Sequence, residues 1–170
     1  MAQTLRASRS LVFLLLPSIL ITSTLHEVRA MDITNPLKTC VFSAVRARLT
    51  KNDEPLKGVT ILRRWQWHGD EHEDSAVTDA AGQFVFPAVF KSSVTRLLPM
   101  EVVIAQSLVA KIDREERIFW VNSKRVAAEN SEYNGRPTDL LCELTREMKV
   151  YRGGYESGYQ VMSTLCTLLK

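Results

Sequence analysis

The densest group of side chains that could do chemistry spans residues 68–74, which read His-Gly-Asp-Glu-His-Glu-Asp. Imidazole and carboxylate groups bind divalent metals, so two histidines among four acids raise the question of a metal site. A run of such charge is, however, typical of a solvated turn, and neither strand spacing nor loop spacing brings His68 and His72 together. We therefore predict a polar loop that holds no metal and no cofactor.

Known catalytic patterns do not occur elsewhere in the sequence. It contains no Gly-x-Ser-x-Gly, no His-Glu-x-x-His and no glycine-rich phosphate-binding loop. The third histidine, His26, belongs to an N-terminal segment that we expect to be removed. We predict no catalytic residues and hence no enzymatic activity.

The segment just before the histidines carries groups suited to binding. Tryptophan and arginine are enriched at the energetic centres of protein interfaces, and both occur here. We predict that a protein partner contacts five residues of this stretch: Arg63, Trp65, Trp67, Asp70 and Glu71. An arginine among apolar neighbours is expected near a sheet end, with its stem packed and its head group in water. The alternative is that the tryptophans belong to the core.

Three cysteines offer one disulfide and one remaining thiol. We predict a bond between Cys142 and Cys166, because both lie in the last third of the chain, which leaves Cys40 over. Three buried thiols that behave as small apolar side chains are the alternative. The sequence has no Cys-x-x-Cys pair, so neither a zinc knuckle nor a thioredoxin-type site is expected.

Residues 1–30 have the three regions of a secretory signal peptide. Basic residues precede an apolar run at 11–21, and small residues lead to a cleavage site after Ala30. The run is too short to span a bilayer, so we expect no transmembrane span in the mature chain. The protein would then be periplasmic or secreted. If Met31 is the true start, it would instead be cytoplasmic.

Net charge gives no sign of a polyelectrolyte partner. The full chain carries +3, and without its first thirty residues the charge is +1. Nucleic-acid binding needs a basic patch, so we expect no nucleic acid as partner. A chain of 170 residues without internal repeats suits one domain, which we place at residues 31–170.

Short runs of β-branched and aromatic residues alternate with turn signals along this domain, as is typical of antiparallel strands. Residues 79–82, Asp-Ala-Ala-Gly, form the clearest turn, with an aspartate to cap it and a glycine to take a positive φ. We expect Gly153-Gly154 to interrupt regular secondary structure. The predicted strands are 41–49, 59–67, 75–78, 83–89, 101–109, 117–121, 139–145 and, as a strand or short helix, 158–169. The sequence thus predicts an all-β sandwich of seven or eight antiparallel strands.

Two motifs in this order resemble a known class of sandwich. Pro-x-x-Gly-Val-x-Ile at 55–61, followed by Thr-Asp-x-x-Gly-x-Phe-x-Phe-Pro at 78–87, resembles carboxypeptidase regulatory-like and transthyretin-like (prealbumin-like) β-sandwiches. Together with Cys-Val-Phe-Ser at 40–43 and Leu-Cys-Glu-Leu-Thr at 141–145, the chain is similar to an uncharacterised family of small bacterial domains of this type. The resemblance implies a fold but no single activity, since such sandwiches have many roles.

Some transthyretin-like proteins are hydroxyisourate hydrolases, which end in Tyr-Arg-Gly-Ser. This sequence has Tyr-Arg-Gly-Gly at 151–154, but sixteen residues follow the motif. Arg46 also stands where the hydrolases carry their N-terminal histidine. Arginine stays protonated near pH 7 and cannot serve as a general base, so the hydrolase is the least favoured alternative.

We therefore expect a non-catalytic, exported β-sandwich that binds a protein. One concrete version is an inhibitor of, or immunity protein against, a secreted effector that acts on the cell envelope. The main alternative is a carbohydrate- or peptidoglycan-binding module of the envelope that uses its tryptophans.

Overall fold

A computed structural model describes residues 38–92, 101–155 and 158–169. Within these ranges there are thirteen strands: β1 Lys38–Phe42, β2 Val45–Lys51, β3 Glu54–Pro55, β4 Thr60–Trp67, β5 Asp70–Val77, β6 Gln83–Phe86, β7 Val89–Ser92, β8 Ile104–Ile112, β9 Glu115–Lys124, β10 Thr138–Glu143, β11 Lys149–Tyr155, β12 Gly158–Thr164 and β13 Cys166–Leu168. One turn of 3₁₀ helix, Ser131–Tyr133, lies between β9 and β10. No helix among the described residues has the length and apolar character needed to cross a membrane.

The strands are arranged as a sandwich around one apolar core. A six-stranded sheet has the order β11-β12-β9-β8-β4-β5, and a five-stranded sheet has the order β13-β10-β2-β3 with β6 also paired to β2. β1 and β7 form a separate pair. Both large sheets contribute fully buried side chains to the core, for example Leu108 from β8 and Leu49 from β2. The predicted all-β sandwich is confirmed.

The five-stranded sheet contains a parallel pair that the sequence analysis missed. β2 and β10 run in parallel, in register from Val45↔Thr138 to Thr50↔Glu143. Apolar alternation tells which side of a strand is buried, but it does not tell the direction of a partner far away in the chain. The expectation of a purely antiparallel sandwich is therefore corrected at this one pairing.

Glu143 fastens the end of β10 to the hairpin that joins β2 and β3. Its carboxylate accepts hydrogen bonds from Thr50 Oγ1 at 2.8 Å and from the backbone N–H groups of Asn52 and Asp53 at 3.0 Å each. Burial tends to raise the pKa of Glu143, but hydrogen bonds, chiefly from Thr145, outweigh it and lower the pKa to about 2. The carboxylate is therefore ionised at neutral pH, where it can accept all of these hydrogen bonds.

The predicted polar loop at 68–74 is wrong, because most of it is strand β5. β4 and β5 are joined by a two-residue turn in which His68 and Gly69 have φ of 53° and 88°. Two positive φ values in succession are typical of the hairpin turn that matches the twist of the flanking strands. β5 lies at the edge of the six-stranded sheet, where charged side chains are common because they discourage further strand pairing.

Other predicted boundaries also differ from the structure. Segment 83–89 is divided between β6 and β7, and the strand predicted at 101–109 is β8, Ile104–Ile112. Segment 41–49 is two strands interrupted at 43–44, and segment 158–169 is two strands without a helix. Gly153-Gly154 lies within β11 and does not end it. β11 is an edge strand of the six-stranded sheet. These interruptions raise the number of described strands above the predicted seven or eight.

A bulge between β8 and β9 supplies two aromatic side chains to the core. Leu108 pairs with Trp120 and Val109 pairs with Ile118, so Phe119 is the additional residue. Phe119 and Trp120 are both fully buried, whereas Ile118 is 50% exposed. The bulge thus determines which residues of β9 point away from the core.

Gly82 provides the first test of the fold. Its φ is +73°, as the turn motif predicts, and a Cβ there would lie 2.5 Å from the carbonyl oxygen of Leu49. Gly58 has the same φ, but a Cβ added there would have no atom within 4 Å, so it is a matched control. We expect Gly58→Ala to lower the free energy of unfolding by about 1 kcal/mol, and Gly82→Ala to lower it by about 1–3 kcal/mol more. Urea denaturation measures both; equal losses would contradict the close approach at Gly82.

Candidate functional site

The β4–β5 hairpin divides the five predicted binding residues between two sides of the sheet. Side chains alternate along a strand, and paired residues of neighbouring strands share a side. The core-facing pairs are Arg63↔Asp74, Trp65↔His72 and Trp67↔Asp70, and the pairs on the other side are Arg64↔Glu73 and Gln66↔Glu71. The predicted set is therefore not one continuous surface.

The tryptophans belong mainly to the interior. Trp65 is 8% exposed and Trp120 is fully buried, while Trp67 is half-buried against the core. The Trp65 ring stacks on the His72 ring with their centroids 5.2 Å apart. The centroids of the Trp67 and His68 rings are 4.3 Å apart. The alternative that the sequence left open, tryptophans in the core, describes their positions better than an exposed aromatic platform.

Arg63 is fully buried, so the expectation that its head group lies in water is wrong. Its Nε donates to Asp74 Oδ1 at 2.9 Å, and a second guanidinium nitrogen binds the other carboxylate oxygen. The guanidinium carbon lies 4.6 to 5.5 Å from three ring centroids, those of Phe42, Trp65 and Phe86. The remaining terminal nitrogen donates to the carbonyl oxygen of Pro87 at 2.5 Å. Because a guanidinium is weakly hydrated and attracted to aromatic faces, these hydrogen bonds and the three rings can hold it inside.

The other side of the six-stranded sheet carries the more extended surface, which we call the outward face. Its residues follow the strand register in rows. One row runs Glu73, Arg64, Ser107, Val121, Ser163 and Val150, and a neighbouring row runs Ser75, Leu62, Val109 and Ile118. A groove of about 420 Å³ lies on this face, and Glu71 is part of its lining.

An apolar strip crosses the outward face. Ile118, Val150 and Val161 are 50%, 58% and 39% exposed, and Val121 is half-exposed between them. Small side chains such as Ser107 leave the strip shallow. Several exposed apolar side chains on one face, with charged side chains at its border, have the composition of an interaction site.

Arg64 forms the charged border of the strip. Its guanidinium donates two hydrogen bonds of 2.8 Å to the carboxylate of Glu116 and one of 2.5 Å to Glu73. Arg64 is on β4 and Glu116 is on β9, so this ion pair spans the intervening strand β8 above Val109. Val109 is fully buried although it does not belong to the core cluster, because the ion pair covers it on the outward face. The hydrogen bonds and positive charge of Arg64 lower the pKa of Glu116.

Sequence reasoning missed the outward face because it depends on register. The Ile-Phe-Trp-Val run at 118–121 predicts a strand, but only the bulge at Phe119 turns Ile118 and Val121 to the same side. The alternation of Val150 with Tyr151 and of Val161 with Met162 was an available signal. This signal was missed on β11, because Gly153-Gly154 was expected to interrupt regular secondary structure there.

A second group of reactive side chains is buried between the layers. Lys124 Nζ lies 2.9 Å from Glu132 Oε1 and 3.3 Å from Ser43 Oγ, and Ser43 Oγ donates to Glu132 Oε2 at 2.5 Å. Gln106 Nε2 donates to Glu132 Oε1 at 2.9 Å and to the carbonyl oxygen of Val41 at 2.8 Å. We call Ser43, Gln106, Lys124 and Glu132 the buried polar cluster.

The buried polar cluster has the residues of a nucleophile and base but not the required access. Ser43, Lys124 and Glu132 are each at most 1% exposed. Burial raises the pKa of Glu132, but the charge of Lys124 and hydrogen bonds from Ser43, Gln106 and Lys124 outweigh it, so the pKa is lowered overall. Lys124 Nζ donates to this carboxylate, so the two side chains form a buried ion pair. The neighbouring Cys40 is a buried thiol, and burial raises its pKa.

The two cysteines paired in the sequence analysis are bonded in the structure. Cys142 and Cys166 face each other across β10 and β13, with a sulfur–sulfur distance of 2.02 Å. The bond closes the C-terminal strand onto the five-stranded sheet.

The Tyr-Arg motif that resembled a hydrolase lies far from the histidines that raised the question of a metal site. Tyr151 and Arg152 lie on β11 and His72 lies on β5, which are opposite edges of the six-stranded sheet. In the part of the chain that the structure describes, no group of three or more histidine, cysteine or acidic side chains is placed to hold a metal ion.

Comparison with protein families gives one match. The profile of a family described as "Domain of unknown function (DUF6795)" matches residues 45–147, from the start of β2 to just beyond β10. No curated protein and no solved structure matches the chain. The matched segment includes both strands of the parallel pair and all four residues that form the rows of the outward face on β8 and β9.

The buried polar cluster gives a test with a matched control. Glu132→Gln leaves Lys124 as an unpaired buried charge, and we expect it to lower the free energy of unfolding by about 3–5 kcal/mol. Glu101→Gln removes an ion pair with Arg125 in which Glu101 is 65% exposed, and we expect a loss below about 1 kcal/mol. Because the pKa of Glu132 is lowered on folding, its contribution is complete above the unfolded value of about 4.3 and decreases as the pH falls below it. Chemical denaturation measures the free energy of unfolding of each variant and the wild type at pH 7 and pH 3. Similar losses for the two variants at pH 7 would contradict the first point, and a loss for Glu132→Gln that is as large at pH 3 as at pH 7 would contradict the second.

Proposed function

We propose that this chain, which belongs to the DUF6795 family of unknown function, is a non-catalytic, exported β-sandwich. It would bind another protein through its outward face. The observation that carries the proposal is the apolar strip formed by Ile118, Val121, Val150 and Val161. All six strands of the sheet contribute to this face in register, so a partner would meet a broad and ordered surface.

The order of the face supports a protein partner. Arg64 is already held by Glu116 and Glu73 before any partner arrives, so binding would not have to immobilise its side chain. Apolar residues at the centre and charges at the rim match the anatomy of protein interfaces. By contrast, Val85 on the five-stranded sheet is 60% exposed without such a row of apolar neighbours, and isolated exposed valines are ordinary.

The five residues predicted from the sequence have different roles in this proposal. Glu71 lies at the border of the groove on the outward face. Arg63 and Trp65 would act indirectly, by holding the hairpin that carries Glu71. Trp67 and Asp70 lie beside the hairpin turn and would contact only a partner that extends beyond the sheet edge.

Export and fold family are also part of the proposal. A disulfide is typical of an oxidising compartment, which agrees with a signal peptide at residues 1–30 and a periplasmic or secreted protein. A transthyretin-like sandwich is supported by the positive φ of Gly58 and Gly82, the two glycines of the motifs that carry the resemblance. A protein of this kind could inhibit, or give immunity to, an effector acting on the envelope.

The alternatives have less support from the geometry. A glycan-binding module would need exposed tryptophan faces, whereas Trp65 and Trp120 are buried. A hydrolase would need a base beside Tyr151 and Arg152, and the described histidines lie at the other edge of the sheet.

Single lysine substitutions test the binding face. We expect Ile118→Lys and Val150→Lys to weaken partner binding at least tenfold, because each puts an unpaired charge into the apolar strip. Val85→Lys is the control, since Val85 is as exposed but lies on the other sheet. The partner is first isolated from envelope extract with the wild-type protein, and affinities are then measured with the purified pair. Unchanged binding by both strip variants, or equal weakening by Val85→Lys, would contradict the proposal.

Export has its own test. We expect the mature protein to begin after Ala30 and to be found in the periplasmic fraction, with one alkylatable thiol, that of Cys40, after denaturation without reductant. N-terminal sequencing and mass spectrometry measure both. A protein that begins at Met31 in the cytosol, with three alkylatable thiols, would contradict export.

A further inference from the structure

A second cleft lies on the core-facing side of β11 and β12, away from the outward face. Its volume is about 430 Å³, within the usual range for small-molecule sites. It lies between the edge strands β11 and β13, and its lining includes Tyr133, Tyr151, Gln160, Met162, Cys166 and Leu168.

Gln160 belongs to this lining and carries a hydrogen-bond acceptor without a partner. The side chain is 98% buried, and its Nε2 donates to Asn122 Oδ1 at 2.7 Å and to the carbonyl oxygen of Glu132 at 3.3 Å. Both neighbours are acceptors, so the amide orientation is determined and Oε1 must be the other atom. Gln160 Oε1 is buried and has no hydrogen-bond partner in the described structure.

A buried acceptor without a donor is unfavourable, so a molecule that supplies a donor gains affinity at this position. The rest of the lining is suited to an apolar body, because it combines two tyrosines with Met162, Leu168 and the disulfide-bonded Cys166. Arg152 is the one charged residue in the described lining, but it pairs with Val161 and shares the outward face with it, so the core-facing side of the cleft is uncharged.

We propose that this cleft binds a small, uncharged amphipathic molecule of one or two rings, whose N–H or O–H group donates to Gln160 Oε1. The site is separate from the outward face, so it does not depend on the proposed protein binding. Binding involves no covalent step.

Two probes that differ only in the donor test the site in the wild-type protein. Indole carries an N–H group and 1-methylindole does not. In titrations followed by ¹H–¹⁵N NMR, we expect indole to shift the amide resonances of residues 160–168 saturably and to bind about five- to tenfold more tightly than 1-methylindole. Equal affinities would show that Gln160 Oε1 receives no donor, and absence of a saturable shift would show a cleft that holds only water; either result overturns the proposal.

A pair of tryptophan substitutions locates the binding. Leu168→Trp fills the cleft, whereas Leu169→Trp changes the adjacent, 49% exposed side chain outside the lining. We expect indole binding to be lost in Leu168→Trp and unchanged in Leu169→Trp. Undiminished binding in a folded Leu168→Trp variant would place the indole elsewhere and overturn the proposal. The wild-type comparison of the two probes decides the question if that variant does not fold.

Discussion

The ion pair between Lys124 and Glu132 is the interaction on which most of the arrangement depends. Glu132 belongs to the connection between β9 and β10, and its carboxylate also binds Ser43 at the interruption between β1 and β2. Two fully buried charges are stable only when their hydrogen-bonding capacity is met, and here the hydroxyl and amide groups of the buried polar cluster complete it. The connection is therefore held inside the sandwich even though its composition is polar.

From this ion pair a chain of amide side chains extends across the six-stranded sheet. Gln106 binds Glu132, Asn122 donates to Gln106 Oε1 at 2.8 Å, and Gln160 donates to Asn122. These three residues belong to β8, β9 and β12, the same strands that carry Ser107, Val121 and Val161 on the outward face. A slip of one residue between these strands would put the amides on the solvent side and the valines in the core, leaving buried charges without partners. The polar interior thereby determines the register of the apolar exterior.

Local signals in the sequence predicted the parts of this fold that depend on neighbouring residues. The turn at 79–82 is an example, because Asp79 Oδ1 accepts hydrogen bonds from the backbone N–H groups of Ala81 and Gln83 at 2.8 Å each. The all-β class follows from many such short segments. The burial of Arg63 was not predictable in this way, because it depends on an ion pair with Asp74. Asp74 lies on β5, whose many charged residues led to the prediction of a loop. The outward face was not predictable either, because it depends on a one-residue bulge and on the pairing of six strands.

The parallel pairing of β2 with β10 has a consequence for how the chain folds. Thr50 and Glu143, which end this pairing, are 93 residues apart in the sequence. Such a contact contributes to a high contact order, and chains dominated by distant strand pairs fold on the slower timescale of milliseconds to seconds. One edge of β2 cannot be satisfied until β10 has been synthesised, so an emerging chain carries an open strand edge through most of its synthesis. The five-stranded sheet can therefore be completed only after β10 is available, whatever the order in which its other strands form.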